Sequence, residues 1–215
     1  MSEEKIPVFD IGDTLTPAKQ FSKRFFKEEL RRQGIEKEVE YTFGDYNEFV
    51  VEDIQEWLYR EGVQDADAAR IVERYRERKE EEMENRGVFE MLRKVNRNFP
   101  ATAILSDNTL QAKRFFQEIF ERHDVEVDAF LVSEEIDILK PDSRIFEELI
   151  DRLDVEPSRC VYFGNRGDKD AACVDTGMNF VWVTQFETFG TDWNGVRIDE
   201  LTYENIAEAM KEVEN

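Results

Sequence analysis

Between residues 88 and 183 the chain alternates stretches whose apolar residues recur every three or four positions with short apolar runs that lack this period. The spacing predicts helices over 88–98, 110–122, 144–153 and about 169–176, and strands over 101–105, 129–132, 160–163 and 180–183. An earlier run at 6–10, IPVFD, reads as a buried strand that ends at Asp10 and empties into a turn at Gly12. Strands separated by helices are joined by crossovers. The expected core is therefore an α/β, Rossmann-like doubly wound parallel sheet with helices on both faces. In such sheets ligands bind beyond the carboxyl ends of the strands, so function is sought there.

One segment breaks the alternation. After Pro17 the chain predicts three successive helices, 21–32, 46–60 and 65–84, before the second strand arrives. This divides the chain into an α/β core domain, 1–16 and 87–215, and an inserted α-helical domain, 17–86. Leu58, Ile71, Val72 and Tyr75 would supply part of the insertion's inward face, Trp57 and Tyr59 would pack between its helices, and Glu80, Glu81, Glu82 and Glu84 would form a solvated end. A chain of 215 residues can bury a core of its own, and 40% hydrophobic residues, with 17 Phe, exclude a disordered chain. Phe115, Phe116 and Phe120 have helical spacing and read as core.

The 50 acidic and 29 basic residues give a net charge of −21. Such a charge repels nucleic-acid backbones and anionic lipid, so neither is an expected partner, and an anionic substrate needs a locally positive site. It also fits a halophilic protein, whose acidic surface stays hydrated while salt screens its self-repulsion. Cys160 and Cys173 have no zinc-like or disulfide spacing and read as reduced packing residues. His123 reads as a surface residue at a helix end rather than a general base. No apolar run reaches membrane-spanning length, and a cytoplasmic monomer or homodimer is expected.

Polar residues gather at the strand ends. The first strand delivers Asp10, Gly12, Asp13 and Thr14; the second Ser106, Asp107 and Asn108; the fourth Gly164, Asn165, Asp168 and Asp170; Lys140-Pro141 lies between the third and fourth. Carboxylates, a hydroxyl and a lysine converging on one crevice can hold a hard cation and a phosphoryl group together. Asp168, at the start of a helix, reads as its N-cap.

The ordered segments FDIGDTL, ILSDNT, ILKPDSRIFEEL and YFGNRGDKDAACVDTGM, spanning Phe9 to Met178, resemble the four motifs of the haloacid dehalogenase-like hydrolase superfamily, and the insertion resembles its type 1 helical cap. The resemblance implies Asp10 as a nucleophile that forms an aspartyl-phosphate, later hydrolysed by water. It implies Asp10, Ser106 and Lys140 as the catalytic group, and Thr14, Ser106, Asp107, Asn108 and Lys140 as substrate-binding residues. It also implies Mg²⁺ held by Asp10, the Gly12 carbonyl, Asn165 and Asp170, and a small phosphorylated metabolite as substrate. Two positions depart from the phosphatase pattern. Gly12 stands where a second Asp usually acts as acid and base, with Asp13 beside it as a stand-in that its place in the turn disfavours. Asn165 stands where an Asp is usual. Both departures also suit a metal-independent 2-haloacid dehalogenase, for which Arg24 is a loose candidate to cradle carboxylate and halide, or a catalytically silent binding protein.

If the acidic surface is a salt adaptation, the melting temperature rises by many degrees between dilute buffer and molar KCl; a flat or falling midpoint in calorimetry excludes it.

Overall fold

The computed structural model describes residues 4–39, 51–188, 190 and 193–213, with the backbone alone at 51–53. Strand β1 (Ile6–Phe9) is followed by helices α1 (Lys19–Arg32), α2 (Val51–Arg60) and α3 (Asp65–Asn85). Helix α4 (Val88–Asn98), β2 (Ala103–Ser106), α5 (Leu110–Arg122), β3 (Ala129–Val132), α6 (Ser143–Leu153) and β4 (Cys160–Gly164) come next. A 3-10 helix (Asp170–Thr176), β5 (Asn179–Val183), β6 (Arg197–Ile198) and α7 (Tyr203–Glu212) complete the order.

The strands form one six-stranded sheet in the order β3-β2-β1-β4-β5-β6, parallel at every pairing. Because successive strand side chains point to opposite faces, each strand serves two cores. Phe9, Ile104, Phe163 and Val181 face the layer built by α4, α5 and α7, where Leu92, Phe116 and Ile206 meet them. Val8, Leu105, Tyr162 and Phe180 face α6 and the 3-10 helix, against Phe146, Leu149 and Cys173. The sheet is thus doubly wound. The chain leaves β1 toward β2 on one side and returns to β4 on the other, so β1 lies where the strand order reverses and a crevice opens. Register brings the ends of these strands level: Phe9 pairs with Ile104 and with Phe163.

Helices α1 to α3 bury a third cluster of their own, centred on Phe26, Leu30, Ile54, Leu58 and Ile71. Leu58, Ile71 and Val72 are buried as their spacing predicts, and Tyr75 and Trp57 pack on Phe26. Glu29, also buried, is held between Arg32 and Arg74, which bind this insertion together through charge as well as packing. The part of the expected helix 46–60 that precedes residue 51 lies outside the described residues.

Several expectations need correction. The second strand runs two residues later at its start and includes Ser106, and the segment after β4 winds as a 3-10 helix. Strand β6 and helix α7 carry no expectation at all, because a two-residue strand has no readable period. Asp168 does not cap the 3-10 helix; Lys169 occupies that position, and Asp168 instead pairs with Arg166 through two hydrogen bonds of 2.8 and 2.6 Å. Glu80 is only partly solvated, unlike the exposed Glu81 and Glu84: it accepts from Arg122 at 2.5 Å and pairs with His123 at 2.9 Å. His123 is correspondingly half-buried, its ring stacked 3.8 Å from that of Phe89. These contacts fasten the end of α3 to α5. Cys160 and Cys173 are free and buried, as expected.

Truncating the centre of the insertion, Ile71→Ala, removes a side chain with no exposed surface and is expected to cost about 2–5 kcal/mol in denaturant unfolding. A loss under 1 kcal/mol would mean that the third cluster does not pack as described.

Candidate functional site

Asp10 is the first residue beyond β1. Its N–H still donates to the Phe163 carbonyl at 3.0 Å, which fixes its backbone to the sheet while its buried side chain enters the crevice. Lys140 reaches the same point from the loop before α6. Its Nζ donates to Asp10 Oδ1 at 3.2 Å, to Asp170 Oδ1 at 2.7 Å and to the Tyr162 hydroxyl at 3.0 Å. All three of its N–H donors are used, and the ammonium is 3% exposed. Burial alone would lower its pKa; the Asp10 and Asp170 carboxylates outweigh that and hold it well above the ordinary lysine value.

Asp170 begins the 3-10 helix. Its second oxygen accepts from the Arg166 N–H at 2.8 Å, so loop and helix aim it jointly. Burial pushes its pKa up to about 6, opposed by Lys140 and reinforced by Asp10. Tyr162 donates its hydroxyl proton to the Leu105 carbonyl at 2.7 Å and thus links β4, β2 and Lys140; burial raises its pKa well above the usual phenol. Asp107 holds the backbone of Lys140, accepting from its N–H at 2.9 Å and from Lys169 Nζ at 3.3 Å. Ser106, buried at the last position of β2, stands on the adjacent strand. Asn108 is tied to Ser133 through its main chain at 3.0 and 3.1 Å, just before Thr109 caps α5.

Two carboxylates sharing one ammonium leave an excess of negative charge in a buried place. The nearby Asn165 Oδ1 is buried and has no partner, while its amide nitrogen donates to the Glu187 carbonyl at 2.7 Å. Hard oxygen donors with surplus negative charge fit a divalent cation such as magnesium. Thr14 Oγ1 is likewise buried and unpartnered.

The family model for haloacid dehalogenase-like hydrolases matches residues 5–172, most of the chain and every residue of this cluster. The chain belongs to that family. Solved structures agree in fold. The HAD-hydrolase YfnB of Bacillus subtilis, bound to magnesium, superposes with a TM-score of 0.60 at 15% identity, covering 98% of this chain and 100% of that one. CbbY of Rhodobacter sphaeroides in complex with phosphate gives 0.56 at 17%, covering 93% and 95%. The 2-haloacid dehalogenase of Pseudomonas syringae pv. Tomato gives 0.56 at 18%, covering 97% and 98%. No curated protein matches the chain.

Within this family member the structure brings Asp10, Lys140 and Asp170 into direct contact, with Asp107 behind them, and leaves Arg24 exposed on α1. Asp13 is spent on the chain turn: with φ at 52° it accepts from the Ala18 N–H at 2.7 Å and so anchors the start of α1. Its carboxyl is raised by burial, against hydrogen bonds that lower it. Tyr162 escaped sequence reasoning because it sits inside an apolar strand. The signal was there: a tyrosine buried in a central strand must satisfy its hydroxyl.

Gly164 has a strict reason. A side chain there would overlap Asp170 Oδ2 and come within 2.7 Å of its Cγ and 2.9 Å of the Tyr162 ring. Gly164→Ala is expected to cost about 1–3 kcal/mol in denaturant unfolding by displacing Asp170; an unchanged midpoint would show that Asp170 has room to yield.

Proposed function

We propose that the chain is a magnesium-dependent phosphatase of a small phosphorylated metabolite, working through an aspartyl-phosphate on Asp10. The observation that carries this reading is the buried Lys140 ammonium held between Asp10 and Asp170 at the crevice of a parallel sheet. In this scheme an Asp10 carboxylate oxygen attacks phosphorus, the bond to the substrate oxygen breaks, and the departing alkoxide takes a proton from water. Water then attacks the acyl-phosphate, releasing inorganic phosphate and restoring Asp10. Lys140 holds Asp10 oriented and neutralises the phosphoryl oxygens, and Ser106 donates to one of them. Thr14, Asp107 and Asn108 brace the loops that shape this place. Magnesium, held by Asp10, the Gly12 carbonyl, Asn165 and Asp170, would supply further neutralisation of phosphoryl charge. Residues 17–86 act as the helical cap over the crevice, and residues 1–16 and 87–215 as the catalytic core.

Gly12 makes such an enzyme slow, since no carboxylic acid stands at that position to protonate the leaving oxygen. The glycine is not demanded by space: its φ is ordinary for any residue, and an added Cβ would meet only Ala18 Cβ at 3.6 Å. The backbone therefore accepts a Cβ there, and packing against that atom does not explain the glycine. This favours a second reading, a 2-haloacid dehalogenase in which Asp10 attacks carbon and needs no metal. Against it, Arg24 is exposed and cannot cradle a substrate carboxylate as expected of it.

Hydrolysis of a generic aryl phosphate, with Mg²⁺ or with chelator, separates the two. Expected are slow, magnesium-dependent turnover that Asp10→Asn abolishes and a rise of roughly 10²-fold in Gly12→Asp, the acid restored. Release of halide from a small 2-haloacid in chelator, with no phosphate release from any variant, would replace the phosphatase by the dehalogenase.

A further inference from the structure

Beside the Gly12 turn lies a cavity of about 90 Å³ whose wall joins the loop after β1 to helices α3 and α5. Gly12 and Asn108 belong to this wall as well as to the strand ends of the crevice, so the cavity borders the loops that follow Asp10 and Ser106. Phe115, Phe116 and Ile54 make it largely apolar. At about 10–15 Å³ of such volume for each water-sized group it admits roughly six to nine non-hydrogen atoms, fewer than a hexose has.

Two polar side chains in this wall have unmet hydrogen-bonding capacity. Lys79 of α3 is 4% exposed, yet it forms no ion pair among the described residues. Its Nζ donates to the Pro17 carbonyl at 2.6 Å and stands 5.0 Å from the centre of the Phe21 ring, which leaves two N–H donors without an acceptor among the described residues. Burial lowers its pKa to about 8, with the Asp13 carboxylate pulling the other way from beyond ion-pair distance. Thr16 Oγ1, in the same wall, is buried with no partner. A buried ammonium without a contacting carboxylate is costly, and so is a buried hydroxyl without a partner; one anion would satisfy both.

We propose that Lys79 and Thr16 form a subsite for a carboxylate on the leaving group, so that the substrate is a short phosphorylated hydroxy acid. This rests on the phosphatase reading for its phosphoryl half and on the cavity alone for its carboxylate half. One ammonium balances one negative charge, and the room beside it matches two or three carbons. Lys79 is a specificity residue here; the chemistry stays with Asp10.

The test compares 2-phosphoglycolate with ethyl phosphate, which carries a methyl group in place of the carboxylate, and separately titrates glycolate into the protein by calorimetry, using wild type, Lys79→Met and Thr16→Val. Expected is at least a tenfold preference in kcat/KM for the carboxylated ester, a fall of that ratio by tenfold or more in Lys79→Met and a smaller fall in Thr16→Val. Glycolate affinity should weaken in parallel. A ratio unchanged in Lys79→Met, or wild type without preference, overturns the subsite. So does an equal loss on both esters accompanied by a lowered melting temperature, which would make Lys79 a packing residue. If neither ester turns over but glycolate binds wild type and not Lys79→Met, the subsite stands and the phosphatase reading falls. If neither ester turns over and glycolate does not bind, both fall.

Discussion

The Lys140 ammonium between Asp10 and Asp170 is the contact on which the rest of the molecule converges. Removing it would leave two carboxylates facing each other away from water, and breaking a buried pair of this kind costs about 3–5 kcal/mol. The structure supports it from every side. Asp107 holds its backbone, Tyr162 accepts from its side chain, and the Arg166 amide fixes the second oxygen of Asp170. These partners come from β2, β4 and the loops beyond them, so the sheet must be assembled in register before the cluster exists. That is why Phe9 pairing with both Ile104 and Phe163 matters to chemistry and not only to folding.

Much of this was legible in the sequence, for physical reasons that differ by element. Short apolar runs between amphipathic helices have few folds open to them, and the order of polar residues after each run placed Asp10, Ser106, Lys140 and Asp170 at one edge. Helices α4 and α5 and strand β3 have the expected bounds because their patterns stop at clear polar breaks. Strand β6 and α7 were invisible, one too short and the other separated from the motifs by a loop. Asp168 illustrates a different limit: N-capping and pairing with a nearby arginine are both ordinary fates of an aspartate at a helix start, and only geometry separates them. Lys79 is the most instructive omission. It falls at helical spacing from Ala68, Ile71, Val72 and Tyr75 and before Met83, so it lies on the buried stripe of α3. A lysine on an apolar stripe is the signal; a glutamate-rich stretch immediately after it masks that signal.

The departures at Gly12 and Asn165 have different physical characters. Asn165 keeps a buried oxygen without a partner and gives up a charge, which would weaken the proposed cation site without removing a ligand. Gly12 gives up a proton donor and acceptor outright, although a Cβ there would meet only Ala18 Cβ at 3.6 Å. Asp13, one residue on, does not replace it, because its carboxylate is committed to the Ala18 N–H at the start of α1. The neighbouring turn is therefore a structural device, and in the proposed phosphatase the proton for the leaving oxygen would come from water.

If its substrate is the anion proposed above, a chain with 50 acidic and 29 basic residues has to attract that anion to one place. Long-range attraction cannot do this when the net field is repulsive, so the charge has to be concentrated where the dielectric is low. Among the described residues the buried lysines are Lys140, in contact with Asp10, and Lys79, in the wall of the cavity beside Gly12. Lys140 is paired with two carboxylates, whereas Lys79 has no contacting carboxylate among the described residues and keeps two of its three donors. In the proposed reading a substrate with two unlike anionic ends would meet two unlike lysines, the first paired with Asp10 and the second on α3, the helix that Glu80 fastens to α5.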